Sequence, residues 1–158
     1  MFRELTRKKQ KLSDEECIAI LKDAKRGVLS VNGENGYPYG MPMNHYYDED
    51  RGMIYFHGGK FGHKIDAMKA DPRVSFCVMD EGTPVDEEWY LDFRSVIVFG
   101  DVVFVEDHEK AMEISRKLCH KFPCSEEYIA EEIRKSGPGT LCFGIRIKNM
   151  QGKIVHEH

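Results

Sequence analysis

The segment HGGKFGHK, His57 to Lys64, gathers three glycines, two lysines and two histidines with no acid. The chain as a whole carries a formal charge of -4. Such a stretch between an apolar run, MIYF, and a helical pattern, KIDAMKA, has the features of an anion site. A helix start leaves backbone N–H groups without partners and carries about half a positive charge. Glycines let the backbone approach a phosphate closely. Lys60, His63 and Lys64 could add charge-assisted hydrogen bonds. The pattern is neither GxxxxGK[ST] nor GxGxxG, so neither nucleotide fingerprint applies. A solvated turn with incidental lysines is the competing reading. His57 is open between a structural histidine, bonded through one ring nitrogen, and a polar wall or proton donor of the site. His57 and His63 are poorly spaced for a metal, with Asp66 the one carboxylate nearby.

Further candidates lie on both sides. GMPMN, Gly40 to Asn44, holds two methionines that either fill the core or line a planar ring, Met43 among them. Asn44 can donate and accept, so it suits a phosphate or a heterocycle edge. Ser95, in FRSV, has no GxSxG around it, which argues against a hydrolase nucleophile. Trp89 and Tyr90 suit a barrel mouth or an interface. CHKFPC, Cys119 to Cys124, lacks a second ligand pair, so no metal is expected.

The elements that must position these residues read as a β-rich fold. Ser13 and Glu16 form a capping box, Ile18, Leu21 and Ala24 share a face, and Gly27 is the expected helix stop. VLSV is a strand, NGENG a turn, and YPYGMPMNHYY a second strand whose two prolines place it at an edge or bulge. DEDRG turns the chain into a third strand, MIYFH. This succession favours an antiparallel meander. After the glycine-rich segment, a short helix ends at Asp71-Pro72 and RVSFCVMD returns to strand. EGTPVDEE reads as a loop before the long stretch WYLDFRSVIVFGDVVFVED, in which Gly100 marks a bulge. SVIVFGDVVFV is apolar at successive positions, so both faces should be covered, one by a barrel interior and the other by a helix or a second subunit. Two helices follow, His108 to Phe122 and one starting at Ser125, and then a final strand, TLCFGIRIK. The expected fold is mainly β with peripheral α: a six- to seven-stranded antiparallel split barrel in one domain, residues 1–158.

Bulk properties agree. The 158 residues are 41% apolar and 32% charged, ordinary for one globular domain. No apolar run approaches the roughly 20 residues of a membrane helix. MFRELTRKKQKLSDEE lacks the hydrophobic segment of a secretory signal, so the expected location is cytoplasmic. Five scattered cysteines read as reduced thiols. The acidic balance argues against nucleic acid as a main partner.

Several of these pieces together resemble a known family. YFHGGKFGHKIDAMKADPRVSFCV, with RGVLSV and YPYGMPMNHYY before it and RSVIVFGDV and RIKNMQGKI after it, is similar to the FMN-binding split barrels related to pyridoxamine 5'-phosphate oxidase. Within them it looks most like the nitroimidazole-resistance (Nim) group. The resemblance implies a homodimer with FMN at the subunit interface and the phosphate near Gly62-His63-Lys64. It places Asn44 where the oxidases carry a phosphate-binding lysine. It puts Phe56 and His57 beside the ribityl chain and phosphate, and Ser95 near the flavin ring. His63 replaces an arginine fork, and that departure points away from pyridoxamine phosphate oxidation itself. The implied activity is an FMN-dependent oxidoreductase that relays electrons from a reduced nicotinamide or another donor to a small acceptor such as a nitro compound. The alternative is a non-catalytic protein that binds or stores FMN or haem.

Overall fold

The structure is a computed structural model describing residues 1–157. Its first regular element begins as the sequence dictates. The Ser13 hydroxyl accepts from the Glu16 N–H, and the Glu16 carboxylate accepts from the Ser13 N–H, which starts α1 (Asp14–Asp23) with both reciprocal caps. The helix stops at Ala24, before Gly27. Gly27 lies inside the first strand, where a Cβ would come within 2.7 Å of the Phe76 ring and Val78. Packing against that core, not helix termination, demands the glycine.

The strands are β1 (Arg26–Asn32), β2 (Pro38–Asn44), β3 (Tyr46–Asp48), β4 (Met53–Gly59), β5 (Arg73–Met79), β6 (Thr83–Pro84), β7 (Leu91–Val105) and β8 (Thr140–His156). The remaining helices are α2 (His63–Ala70), α3 (His108–Cys119) and α4 (Glu126–Ser136). All strand pairings are antiparallel, in the order β2-β1-β5-β7-β8-β4-β3, with the two-residue β6 beside β7. β6 falls within the expected loop, and β8 runs well past the expected TLCFGIRIK. The expected second strand is two strands broken at His45.

That break closes the fold. β2 and β3 are the two edges of the sheet, yet one residue, His45, separates them in the chain. The sheet therefore curls until its margins meet through the chain itself, which makes a split barrel. Proline at β2 is tolerated because an edge strand leaves some N–H groups unpaired. His45 is fully buried, with Nε2 donating to the Leu21 carbonyl at 2.7 Å. The Lys121 ammonium donates to the carbonyls of Ala24 and His45, at 2.6 Å each. These bonds pin the corner to the end of α1.

Alternate residues of the strands fill the interior. Phe56 stacks on Phe143 with ring centroids 5.2 Å apart and meets Phe76 edge-on at 5.1 Å. A second cluster, with Tyr55, Ile114, Leu118 and Cys142, seats α3 on the outer side of β4 and β8. The register of β7 against β8 shifts between Phe99 and Gly100, which is the expected bulge. A Cβ at Gly100 would collide with the Arg146 carbonyl and the Ile145 side chain.

Beyond the bulge, Val105 of β7 packs against the α3 cluster; before it, Ile97 and Phe99 stand exposed. Val28, Cys77 and Ile97 stand in register across β1, β5 and β7. Val28, Met79, Ile97 and Phe99 are exposed on this face. Part of it is crossed by the N-terminal segment. Phe2 stacks on Phe99, and the Gln151 amide bonds the Leu5 N–H and the Arg3 carbonyl. All five cysteines are free thiols. Among the described residues no helix is long and apolar enough to cross a membrane.

Candidate functional site

The end of β4 and the start of α2 are joined by the turn that holds Lys60, Phe61 and Gly62. Gly62, the N-cap, has φ 128° and ψ 174°. That region is open essentially to glycine alone. Gly62 offers no side-chain cap, and its carbonyl accepts from the N–H groups of Ile65 and Asp66. The N–H groups of His63 and Lys64 have no acceptor within the helix and face outward along its axis.

A cavity of about 410 Å3 opens at this point. Edge strand β2 lines it with Tyr39, Met41, Pro42, Met43 and Asn44, and the turn and helix start line it with Phe61, Gly62, His63 and Lys64. His57 completes the wall. The His63 ring stacks on Tyr39 with centroids 4.2 Å apart. Gly33 leaves it room, since a Cβ there would lie 3.3 Å from His63 Nε2. Burial pushes the His57 imidazole below its ordinary titration range, so it presents a neutral ring at pH 7. His57 therefore adds no positive charge to that of Lys64 and the helix terminus.

Of the residues singled out in the sequence, Met43, Asn44, His57, His63 and Lys64 share this cavity. Phe56, Lys60 and Ser95 do not line it. The Phe56 side chain is wholly buried in the core. Lys60 is exposed on the turn. Ser95 lies on the outward side of the sheet beside the N-terminal segment, in a separate cavity with Thr6 and Lys153. Tyr39 and Phe61 join the cavity without having been singled out as cofactor contacts, and Met41, the other methionine of GMPMN, lines it beside Met43. Tyr39 and Met41 alternate with Met43 along one strand face, a period-2 signal legible in YGMPM. Among the described residues, no three or more His, Cys, Asp or Glu gather where a metal ion could be held.

A basic helix start and an apolar strand edge facing one gap suit a ligand with a phosphate at one end and a flat ring at the other. The family model for pyridoxamine 5'-phosphate oxidase matches residues 13–154. The chain belongs to the pyridoxamine 5'-phosphate oxidase family. The match runs from the N-cap of α1 to within two residues of the end of β8. Solved structures with the same fold include a proposed 5-nitroimidazole antibiotic resistance protein from Bacteroides thetaiotaomicron. It is 19% identical with a TM-score of 0.74, over 91% of this chain and 86% of that one. A conserved hypothetical protein from Mycobacterium tuberculosis is 20% identical with a TM-score of 0.80, over 95% and 89% of the two chains. A FAD-binding protein from Mesorhizobium loti is 22% identical with a TM-score of 0.68, over 93% and 98%. No curated protein matches the sequence.

Proposed function

We propose that the protein is a flavin-dependent oxidoreductase that holds the flavin phosphate on the start of α2. The observation that carries this reading is the shared cavity of Lys64, the uncapped N–H groups of α2 and the methionine-lined edge of β2. Membership of the pyridoxamine 5'-phosphate oxidase family and the FAD-binding description of the Mesorhizobium loti neighbour support a flavin as the ligand. FMN, with one phosphate, is the smallest flavin that occupies the cradle.

The residues divide the work. Lys64 and the helix terminus neutralise the phosphate dianion, with His63, braced by Tyr39, beside them. Met41 and Met43 offer polarizable sulfur to a flat ring, and Asn44 can donate to or accept from its polar edge. Phe61 is 91% exposed at the rim and can shield a bound ring from water. A flavin bound there supplies the redox chemistry, taking electrons from a reduced nicotinamide or another donor and delivering them to a small acceptor such as a nitro compound.

The uncovered outer face of the sheet favours a homodimer. Val28, Met79, Ile97 and Phe99 form an apolar patch on central strands, where a monomer would normally place polar residues or a helix. A second copy covers it with the same patch by two-fold symmetry. This assembly also gives Ser95 a route to the flavin of the neighbouring subunit. The location consistent with such an enzyme is the cytoplasm, where nicotinamide donors are plentiful.

A visible spectrum of the purified protein tests the reading. Flavin absorbance, or its appearance when apoprotein takes up FMN, followed by bleaching with a reduced nicotinamide, is expected. A protein that neither carries nor takes up flavin ends the proposal. One that binds flavin but passes no electrons to any acceptor is a storage protein instead.

A further inference from the structure

Helices α3 and α4 and the ends of β4 and β8 wall a second cleft, which has no role in the reading above. It measures about 390 Å3, within the roughly 300–1,000 Å3 of small-molecule sites. Met112, Cys119, Tyr128 and Ile133 make much of its lining apolar. No lysine or arginine lines it, and its one formally charged side chain is Glu132. Burial pushes the Cys119 thiol up and the His57 imidazole down, so both are neutral at pH 7. The cleft therefore presents a single carboxylate in largely apolar surroundings.

That carboxylate has no counter-charge. Its neighbour Glu131 is paired with Arg134 and Lys135, and Glu126 with His120. Glu132, half-buried, has neither an ion pair nor a hydrogen bond among the described residues. A partly buried charge without a partner carries a desolvation cost that an arriving cation offsets. Tyr128 stands one helical turn before Glu132, so ring and carboxylate share a face of α4. The rings of Phe122, Tyr55 and Tyr46 each have a lysine of this chain over them. The Tyr128 ring, 54% exposed, has none. An aromatic face beside a carboxylate is a pairing that recognises organic cations. Residues 126–133 hold four glutamates and no basic side chain, so their field draws cations to this mouth. The other end of the cleft has the opposite sign. A Cβ at Gly58 would lie 3.4 Å from the Lys64 ammonium, which directs a ligand's positive charge away from β4 and towards Glu132.

We propose that the cleft binds a small organic cation, with its positive group between Glu132 and the Tyr128 ring and its uncharged, apolar body against Met112 and Ile133. The site is independent of what fills the cradle.

Benzyltrimethylammonium, benzyl alcohol and phenylacetate share a phenyl body and differ in charge. Calorimetric titration of the purified protein with each tests the site. The cation is expected to bind with millimolar or better affinity, at least tenfold more tightly than either of the others. Glu132→Gln should abolish that preference, and Tyr128→Leu should weaken the cation about three- to fivefold. Glu131→Gln, which removes the adjacent carboxylate, should leave binding unchanged. Thermal midpoints equal to the wild type's would show that the variants are folded. Equal binding of the three probes, no binding of the cation at millimolar concentration, or a preference retained in folded Glu132→Gln overturns the site. None of these outcomes bears on the flavin cradle, whose probe is flavin itself.

Discussion

Lys64 combines a full charge with a place on the first turn of α2, so its loss is the sharpest test available at the scale of one residue. Lys64→Ala should weaken flavin binding by about 1.5–3 kcal/mol, the range for hydrogen bonds to charged groups. Unchanged affinity in a fluorescence titration would place the phosphate elsewhere. His45 governs stability instead. Burial, followed by the nearby Lys121 charge, lowers its imidazole to about 4, against 6.5 for a free side chain. Between those values the unfolded chain holds a proton that the native protein does not. Stability is therefore fully present above about pH 6.5 and drains away as the pH falls towards 4, by about 3 kcal/mol in all. Urea midpoints measured at pH 7 and pH 4.5 should show this loss. His45→Gln should remove about one proton from the pH dependence, and an unaltered slope would show that other groups set it.

At the scale of elements, the turn between β4 and α2 depends on the backbone of Gly62. Gly62→Ala places a Cβ where φ is 128° and should cost about 1–3 kcal/mol of stability, or else rotate the helix start out of the cavity. Either outcome lowers flavin affinity, and a variant matching the wild type in both thermal midpoint and flavin binding would refute the account. The turn between β4 and α2 was legible in the sequence because HGGKFGHK is contiguous, and a strand end, glycines and a helix start announce themselves within eight residues. The Ser13–Glu16 box and the Gly100 bulge were legible for the same reason, since each is a local signal. Gly27 misled because a glycine that admits a neighbouring ring reads in one dimension like a glycine that stops a helix. Ser95 stayed apart from the cradle because alternation along β7 sends it to the outward face, which motif order alone does not reveal. A cleft walled by α3 and α4 was out of reach, because Met112, Tyr128 and Ser136 come together only once those helices have packed.

For the whole molecule, the exposed apolar face is the basis of the proposed dimer. Sedimentation or light scattering should give twice the 18.3 kDa of one chain. Ile97→Glu, a change in a side chain 41% exposed in the single chain, should leave the fold intact and yield monomers. A wild-type monomer at micromolar concentration would assign that face to another partner. Monomers of the Ile97→Glu variant that retain full flavin affinity would show that the site is complete within one subunit.

The position of β8 has a consequence for how the protein is made. Residues 140–156 follow every other described strand, yet they sit between β7 and β4. As the polypeptide leaves the ribosome, β7 and β4 each present an unpaired edge until that final segment arrives, and the interior ring of Phe56 waits for Phe143, 87 positions downstream. Completion of the sheet therefore waits for β8, with two open edges inviting non-native pairing in the interval. Truncated or stalled chains that stop before β8 should be strong clients for chaperones, even though most of the core residues have already been synthesised.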